Sequence, residues 1–258
     1  MSKGYDFDKL IELISSENKE KILQGLEEIE KNIDRIPAEV VEDVIASLFF
    51  IDLGDHPEMV EVKDKATKTL SLFGTKVIPY CLKSLEESDM KAALNFARVL
   101  GYIGGDVIEP LIEEYYKTDD PDRKSFILYA MSKVRSKDVK KAIPLVISGI
   151  SSDNREVRDT ATRTIGKFFE VLDANDVEPI LIETIFNLLF TRISDPYAPI
   201  RAKAVRSLGK MAKKGILNKK QKEQIRKTCQ RILGQDENFD WDKAFIVRKE
   251  AKETLKYV

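Results

Sequence analysis

An all-α solenoid of paired helices, wound right-handed, is what this 258-residue sequence predicts. Two observations predict it. A proline opening an apolar run and, later, a larger residue four after a small or apolar one recur together, with 21 residues from Pro79 to Leu100, from Pro110 to Met131 and from Pro144 to Ile165. No segment alternates apolar and polar residues for long, and no Asn-Gly or Asp-Gly pair marks a hairpin. A fixed period of this size means stacked supersecondary units that bury their apolar faces on one another.

The clearest unit lies at Asp195–Gly215. Ile200, Ala204, Leu208, Met211 and Ala212 fall on one face of a 3.6-residue period. Pro196 and Pro199 suit an opening turn, Asp195 an N-cap, Gly215 the stop, and Lys213 and Lys214 the negative end of the helix dipole. The same second-helix pattern stands at Ala66/Leu70, Phe96/Leu100, Ile127/Met131, Ala161/Ile165 and Ala251/Leu255, with a fainter copy at Gly25/Ile29. Gly101, Gly166 and Gly209 follow directly and Gly74 a few residues on. A mid-helix glycine costs about 1 kcal/mol against alanine, so close helix approach is expected there.

Each unit therefore reads as helix A, a turn carrying Asp or Pro, and helix B. Seven fit, at roughly 8–32, 38–74, 75–105, 106–135, 138–173, 176–215 and 218–258. Residues 75–173 hold the regular register, and 8–74 and 176–258 hold longer, less regular units of one domain spanning 1–258. Arg158, Arg201 and Arg248 occupy equivalent places, as do Lys63 and Lys124, with Asp119, Asp153, Asp195 and Asp242 in the turns before them. That predicts Asp–Arg contacts between neighbouring units.

The stretches D-N-R-E-V-R-D-T-A-T-R-T-I-G (153–166) and D-P-Y-A-P-I-R-A-K-A-V-R-S-L-G (195–209) resemble HEAT repeats. With A-I-P-L-V-I (142–147), the short register resembles the HEAT-like subtype named after phycobilisome lyases. The resemblance spans 60–258 and, more faintly, 8–60. It implies a scaffold with B helices on the concave side.

Composition narrows the chemistry. The single histidine, His56, cannot supply the ligands of HEAT-like di-iron hydroxylases. Cys81 and Cys229 lie far apart without metal spacing and match no bilin-lyase motif, so reduced thiols in a cytoplasmic protein are expected. The acid pairs Glu27/Glu28/Glu30, Glu86/Glu87 and Glu113/Glu114 read as solvated faces. Gly101, Gly104 and Gly105 lack the strand and lysine of a phosphate loop. Trp241 stands in the acidic run E-N-F-D-W-D (237–242), which repels phosphate and argues against a DNA glycosylase; it is expected to anchor the last A–B loop. The N-terminus shows no apolar leader, and no run is apolar enough to span a membrane. A non-enzymatic protein with no cofactor or metal is the reading.

The net charge of −1 conceals an asymmetry, since residues 196–258 sum to +10 and residues 1–195 to −11. Aligning the B helices places Lys68, Arg98, Tyr129, Arg163 and Arg206 two before the reference residue. Tyr102, Lys133, Lys167 and Lys210 stand two after it, and Phe126 nearby. Stacking makes these one stripe of bases and aromatics on which an acidic peptide or protein would dock. The alternative is nucleic-acid binding through the basic C-terminal third, about 196–231, where Lys210 to Arg231 hold nine bases and one acid. Its patch is Lys213, Lys214, Lys219, Lys220, Lys222, Arg226, Lys227 and Arg231.

Overall fold

The computed structural model describes residues 6–237 and 241–258. Residues 1–5, read above for a leader, and 238–240 of the acidic run lie outside them, as does the side chain of Glu86. Fourteen α-helices form among the described residues, and they pair as the register requires. The pairs are α1 (Phe7–Ile14) with α2 (Lys19–Lys31), α3 (Ala38–Ser47) with α4 (Val60–Ser71), α5 (Ile78–Glu87) with α6 (Met90–Ile103), and α7 (Ile108–Lys117) with α8 (Pro121–Met131). Then come α9 (Ile143–Ile150) with α10 (Arg155–Phe168), α11 (Pro179–Arg192) with α12 (Ala198–Lys213), and α13 (Lys219–Ile232) with α14 (Phe245–Thr254). The only extended pairing among the described residues is one bridge between Leu233 and Trp241.

Local chemistry sets the ends. Pro79, Pro121, Pro144, Pro179 and Pro199 each fall in the first two helical positions, where a missing N–H costs nothing. Asn18, Asp89, Asp120 and Asn154 cap α2, α6, α8 and α10 through their side chains, so the A–B turns are built from N-cap residues. Gly215 has φ +70 and closes α12 in a Schellman turn, its N–H on Ala212 O and that of Ile216 on Met211 O. Asp195 is not the cap of α12. That place falls to Tyr197, and the Asp195 carboxylate accepts the Tyr197 N–H at 3.0 Å while turning inward.

B helices stack on B helices along their whole length, whereas neighbouring A helices touch much less. The more tightly packed of two layers lies inside the curve, so the B layer is concave. The glycines explain the approach: a methyl group at Gly101, Gly166 or Gly209 would overlap Lys133, Ser207 or Thr254 of the next unit. Hydroxyls complete the seam. Thr164 donates to Leu128 O at 3.0 Å, Ser207 to Thr162 O at 2.9 Å and Thr254 to Val205 O at 3.2 Å. Gly74 differs: it has φ +63 with open space around it and serves a turn, not a contact. At the last helix, Lys249, Lys252 and Lys256 stand exposed where α12 buries Ala202, Val205 and Gly209.

The expected ion-pair ladder forms at two junctions. Arg158 Nε meets Asp195 at 2.9 Å with the carboxylate fully buried, and Arg201 meets Asp242 through Nε and Nη2 at 2.7 and 2.9 Å. Each guanidinium also donates to carbonyls of its own turn, Ser152 and Asp153 or Asp195 and Pro196. Lys63 and Lys124 stay within their own units. Buried Lys63 donates to Phe49 O at 2.8 Å, and Lys124 reaches Asp119 at 3.8 Å. An ammonium is a point charge, and only the guanidinium fork serves turn and neighbour at once.

Removing one member of a buried pair leaves the other charge uncompensated. Arg158→Ala should therefore cost about 3 kcal/mol in urea unfolding, while Arg163→Ala costs under about 1 kcal/mol. Gly166→Val, which drives branched carbons into Ser207, should cost about 2 kcal/mol or more by the same measurement.

Candidate functional site: the concave stripe

The stripe residues stand along α4, α6, α8, α10 and α12, with Lys133 just past the end of α8, but their partners differ from expectation. Acids from flanking positions meet several of the bases. Arg98 Nη2 bonds Asp64 at 2.6 Å, and Arg206 holds Glu250 through two bonds of 2.6 and 2.9 Å. These are contacts between consecutive units, so Arg98 and Arg206 are structural members as much as surface charges. Lys203 likewise pairs with Asp159, and Lys65 with Glu30 at 2.5 Å. Phe126 is half-buried against the core rather than presented as an anchor. Tyr102 is 51% exposed, and Lys68 is exposed without an ion pair among the described residues.

The middle of the stripe is different. Lys133 lies over one side of Tyr129 at 4.6 Å and Arg163 over it at 5.3 Å, and neither meets a carboxylate among the described residues. Beside them, Glu170 is shared by Arg135 at 3.2 Å and by Lys167 and Lys210 at 2.8 Å. One acid thus answers three bases. Partial burial pushes the Glu170 carboxyl up, but hydrogen bonds from Lys167 and Lys210 outweigh it and hold it down at about 2. Burial also lowers Lys210, against the opposing pull of Glu170.

Cavities follow the same line. One of about 390 Å³ is lined by Arg98, Gly101, Tyr102, Gly104, Lys133 and Arg135. Another of about 260 Å³ runs from Arg163 and Lys167 to Lys203 and Lys210. A third, about 450 Å³, closes the groove between Phe169, Lys213 and Tyr257. A larger hollow of about 550 Å³ lies at Ile78, Leu82 and Pro110 of the A helices α5 and α7, away from the stripe.

The C-terminal patch divides between two faces. Lys213 stacks over Tyr257 at 5.3 Å and Lys214 pairs with Asp173 at 3.1 Å, both at the end of the B helix α12. Lys219, Lys220, Lys222, Arg226, Lys227 and Arg231 belong to α13, an A helix, where Arg226 pairs with Glu223. The nine bases read as one run do not make one surface.

Other candidates are corrected or placed. Glu30 and Glu114 are not solvated: Glu30 binds Lys65 and Thr69 of the next unit, and Glu114 pairs with half-buried Arg123. Burial raises the thiol of Cys229 to about 12 and that of Cys81 still further, so both rest as thiols. His56 is exposed in its loop, 3.4 Å from Glu58. Trp241 is 51% exposed, and its loop is held by the Asp242 N–H on Ile232 O rather than by a buried indole. No group of metal ligands occurs among the described residues, and no helix there is long and apolar enough to cross a membrane.

No family model and no curated protein sequence matches the chain. Solved structures do. A designed armadillo repeat protein in complex with peptide (KR)4 aligns with a TM-score of 0.50 at 12% identity, covering 98% of this chain and 99% of that one. A second designed armadillo repeat protein gives 0.48 at 12% identity, covering 98% and 99%. The complex of CpcE and CpcF of phycocyanin lyase from Nostoc sp. PCC7120 gives 0.36 at 15%, covering 100% and 96%. At these identities the likeness concerns fold alone. The chain has an all-α solenoid fold of the HEAT/armadillo-like kind.

The Glu170 cluster sets a pH signature. The folded carboxyl stays charged down to about 2 against an ordinary 4.5, so its stabilisation is present above 4.5 and lost as pH falls toward 2. Across that window the urea midpoint of the native protein should fall more than that of Glu170→Gln.

Proposed function

We propose that the chain is a non-enzymatic scaffold that binds an acidic segment of a partner protein along its concave face. The observation that carries this is the uncompensated charge at the centre of the groove. Among the described residues Lys133 and Arg163 lie over the ring of Tyr129 and meet no carboxylate, and Glu170 is divided among three bases. A base already paired with a packing acid adds little field, whereas these remain available to a ligand. Tyr102, 51% exposed, supplies an apolar contact for an extended segment. A solenoid of this fold can hold a peptide, as the designed armadillo protein does with (KR)4. Here the groove is basic, so the ligand it favours is of opposite sign. Lys68, Lys167, Arg206 and Lys210 extend the stripe to either side, with Arg98 and Phe126 framing it.

Nucleic acid fits less well, because the C-terminal bases are split between α12 and α13 and present no continuous stripe to a phosphate backbone. The two free, buried cysteines suit a reducing, cytoplasmic compartment.

The probe is a fluorescein-labelled twelve-residue peptide with Glu at alternate positions and Leu or Tyr between. Lys133→Glu with Arg163→Glu should weaken its binding by at least about tenfold, or ~1.4 kcal/mol, with the helical circular dichroism unchanged. Glu113→Lys on the A layer should leave binding as it was. Equal affinity for the double variant and the native chain would refute the reading.

A further inference from the structure

Twelve large apolar side chains are exposed among the described residues, and eight of them lie at A–B turns or the adjoining helix ends. The turns of the second, third, fourth, sixth and seventh units carry Phe50, Met90, Tyr116, Tyr197 and Trp241, each between 43% and 70% exposed. The stacking of the units sets these turns along one edge, and contacts join neighbouring turns at three junctions. Lys91 of the third turn bonds Asp52 of the second at 2.9 Å. Arg155 of the fifth lies over Tyr197 of the sixth at 5.1 Å, and Arg201 of the sixth reaches Asp242 of the seventh. The same turns carry exposed acids, Asp55, Asp122 and Asp153 among them, because N-caps and turns select Asp.

A partner for such an edge must bring positive charge and apolar stems together. Arginine and lysine do both, with a methylene stem for apolar contact and a cation for the ring face and carboxylate. The chain shows the contact on itself: Arg155 covers Tyr197, and Lys243 covers Trp241 at 5.0 Å. Neighbouring units stand roughly 10 Å apart, and an extended chain advances about 3.3 Å per residue, so every third residue meets a new turn. We infer that the A–B turn edge is a second docking surface whose occupant is an extended basic segment of a partner protein, with Arg or Lys recurring about every third residue. The surface is separate from the concave stripe and stands whether or not that stripe binds an acidic segment.

Trp241 is the only tryptophan of the chain and reports on the edge directly. The probe is a fifteen-residue peptide of Gly and Ser with Arg at every third position, about 50 Å long when extended. Titration should shift Trp241 emission to saturation. Met90→Ser with Tyr116→Ser keeps every acid and should weaken binding by about tenfold. Lys133→Glu with Arg163→Glu should not weaken it. Absence of a saturable change would overturn the inference, and so would equal affinity for the Met90/Tyr116 variant, which would reduce the effect to plain charge attraction. Sedimentation of the chain alone supplies the last arm. Self-association that disappears in the same variant would assign the edge to a second copy and overturn the basic-segment occupant.

Discussion

Close approach of consecutive B helices is the constraint from which the rest follows. Gly101, Gly166 and Gly209 remove a side chain where the next unit arrives, and Ser207 and Thr254 fill the space with a hydroxyl bonded to the facing backbone. A glycine inside a helix is unfavourable by itself. The short helix separation it permits draws the B layer together and so sets which face is concave. It also brings flanking charges of neighbouring units within bonding distance, Arg206 with Glu250 and Arg98 with Asp64 among them.

Those pairs decide where the groove keeps a field. A stripe of bases read from one helix at a time is uniformly positive. In the stacked chain the acids one turn away return to neutralise it, most fully at Arg206. Around Tyr129 and Glu170, at the centre of the stripe, cations outnumber carboxylates among the described residues. The site is thus defined by what the packing interactions leave over.

Much of this was legible in the sequence. The 21-residue register, the prolines of the first turns and the mid-helix glycines give seven helix pairs because each is a local rule with one geometric meaning. The pairing of Arg158 with Asp195 and of Arg201 with Asp242 was legible for the same reason, since equivalent places in a repeat become neighbours. What could not be read depends on neighbours outside the helix in question. Glu30 looks solvated until Lys65 and Thr69 arrive from the next unit. Asp195 looks like a cap until Arg158 draws it inward. Trp241 looks like an anchor until backbone bonds are seen to hold its loop. One signal was available and unused: Thr69, Thr164, Ser207 and Thr254 each stand directly before the aligned large residue, a recurring hydroxyl that marks the inter-unit seam.

The unequal packing of the two layers has a mechanical consequence. The B layer is zipped by glycine contacts and hydroxyl bonds, while the A helices touch much less. A strip with one stiff side and one compliant side bends about the stiff side, as a leaf spring does. Bending of such a stack would open and close the A layer, with the B seam as the neutral axis. Such bending would change the curvature of the groove and keep the spacing of Tyr102, Tyr129 and Arg163 along its floor, so the stack is built as a ruler that can flex without losing its scale.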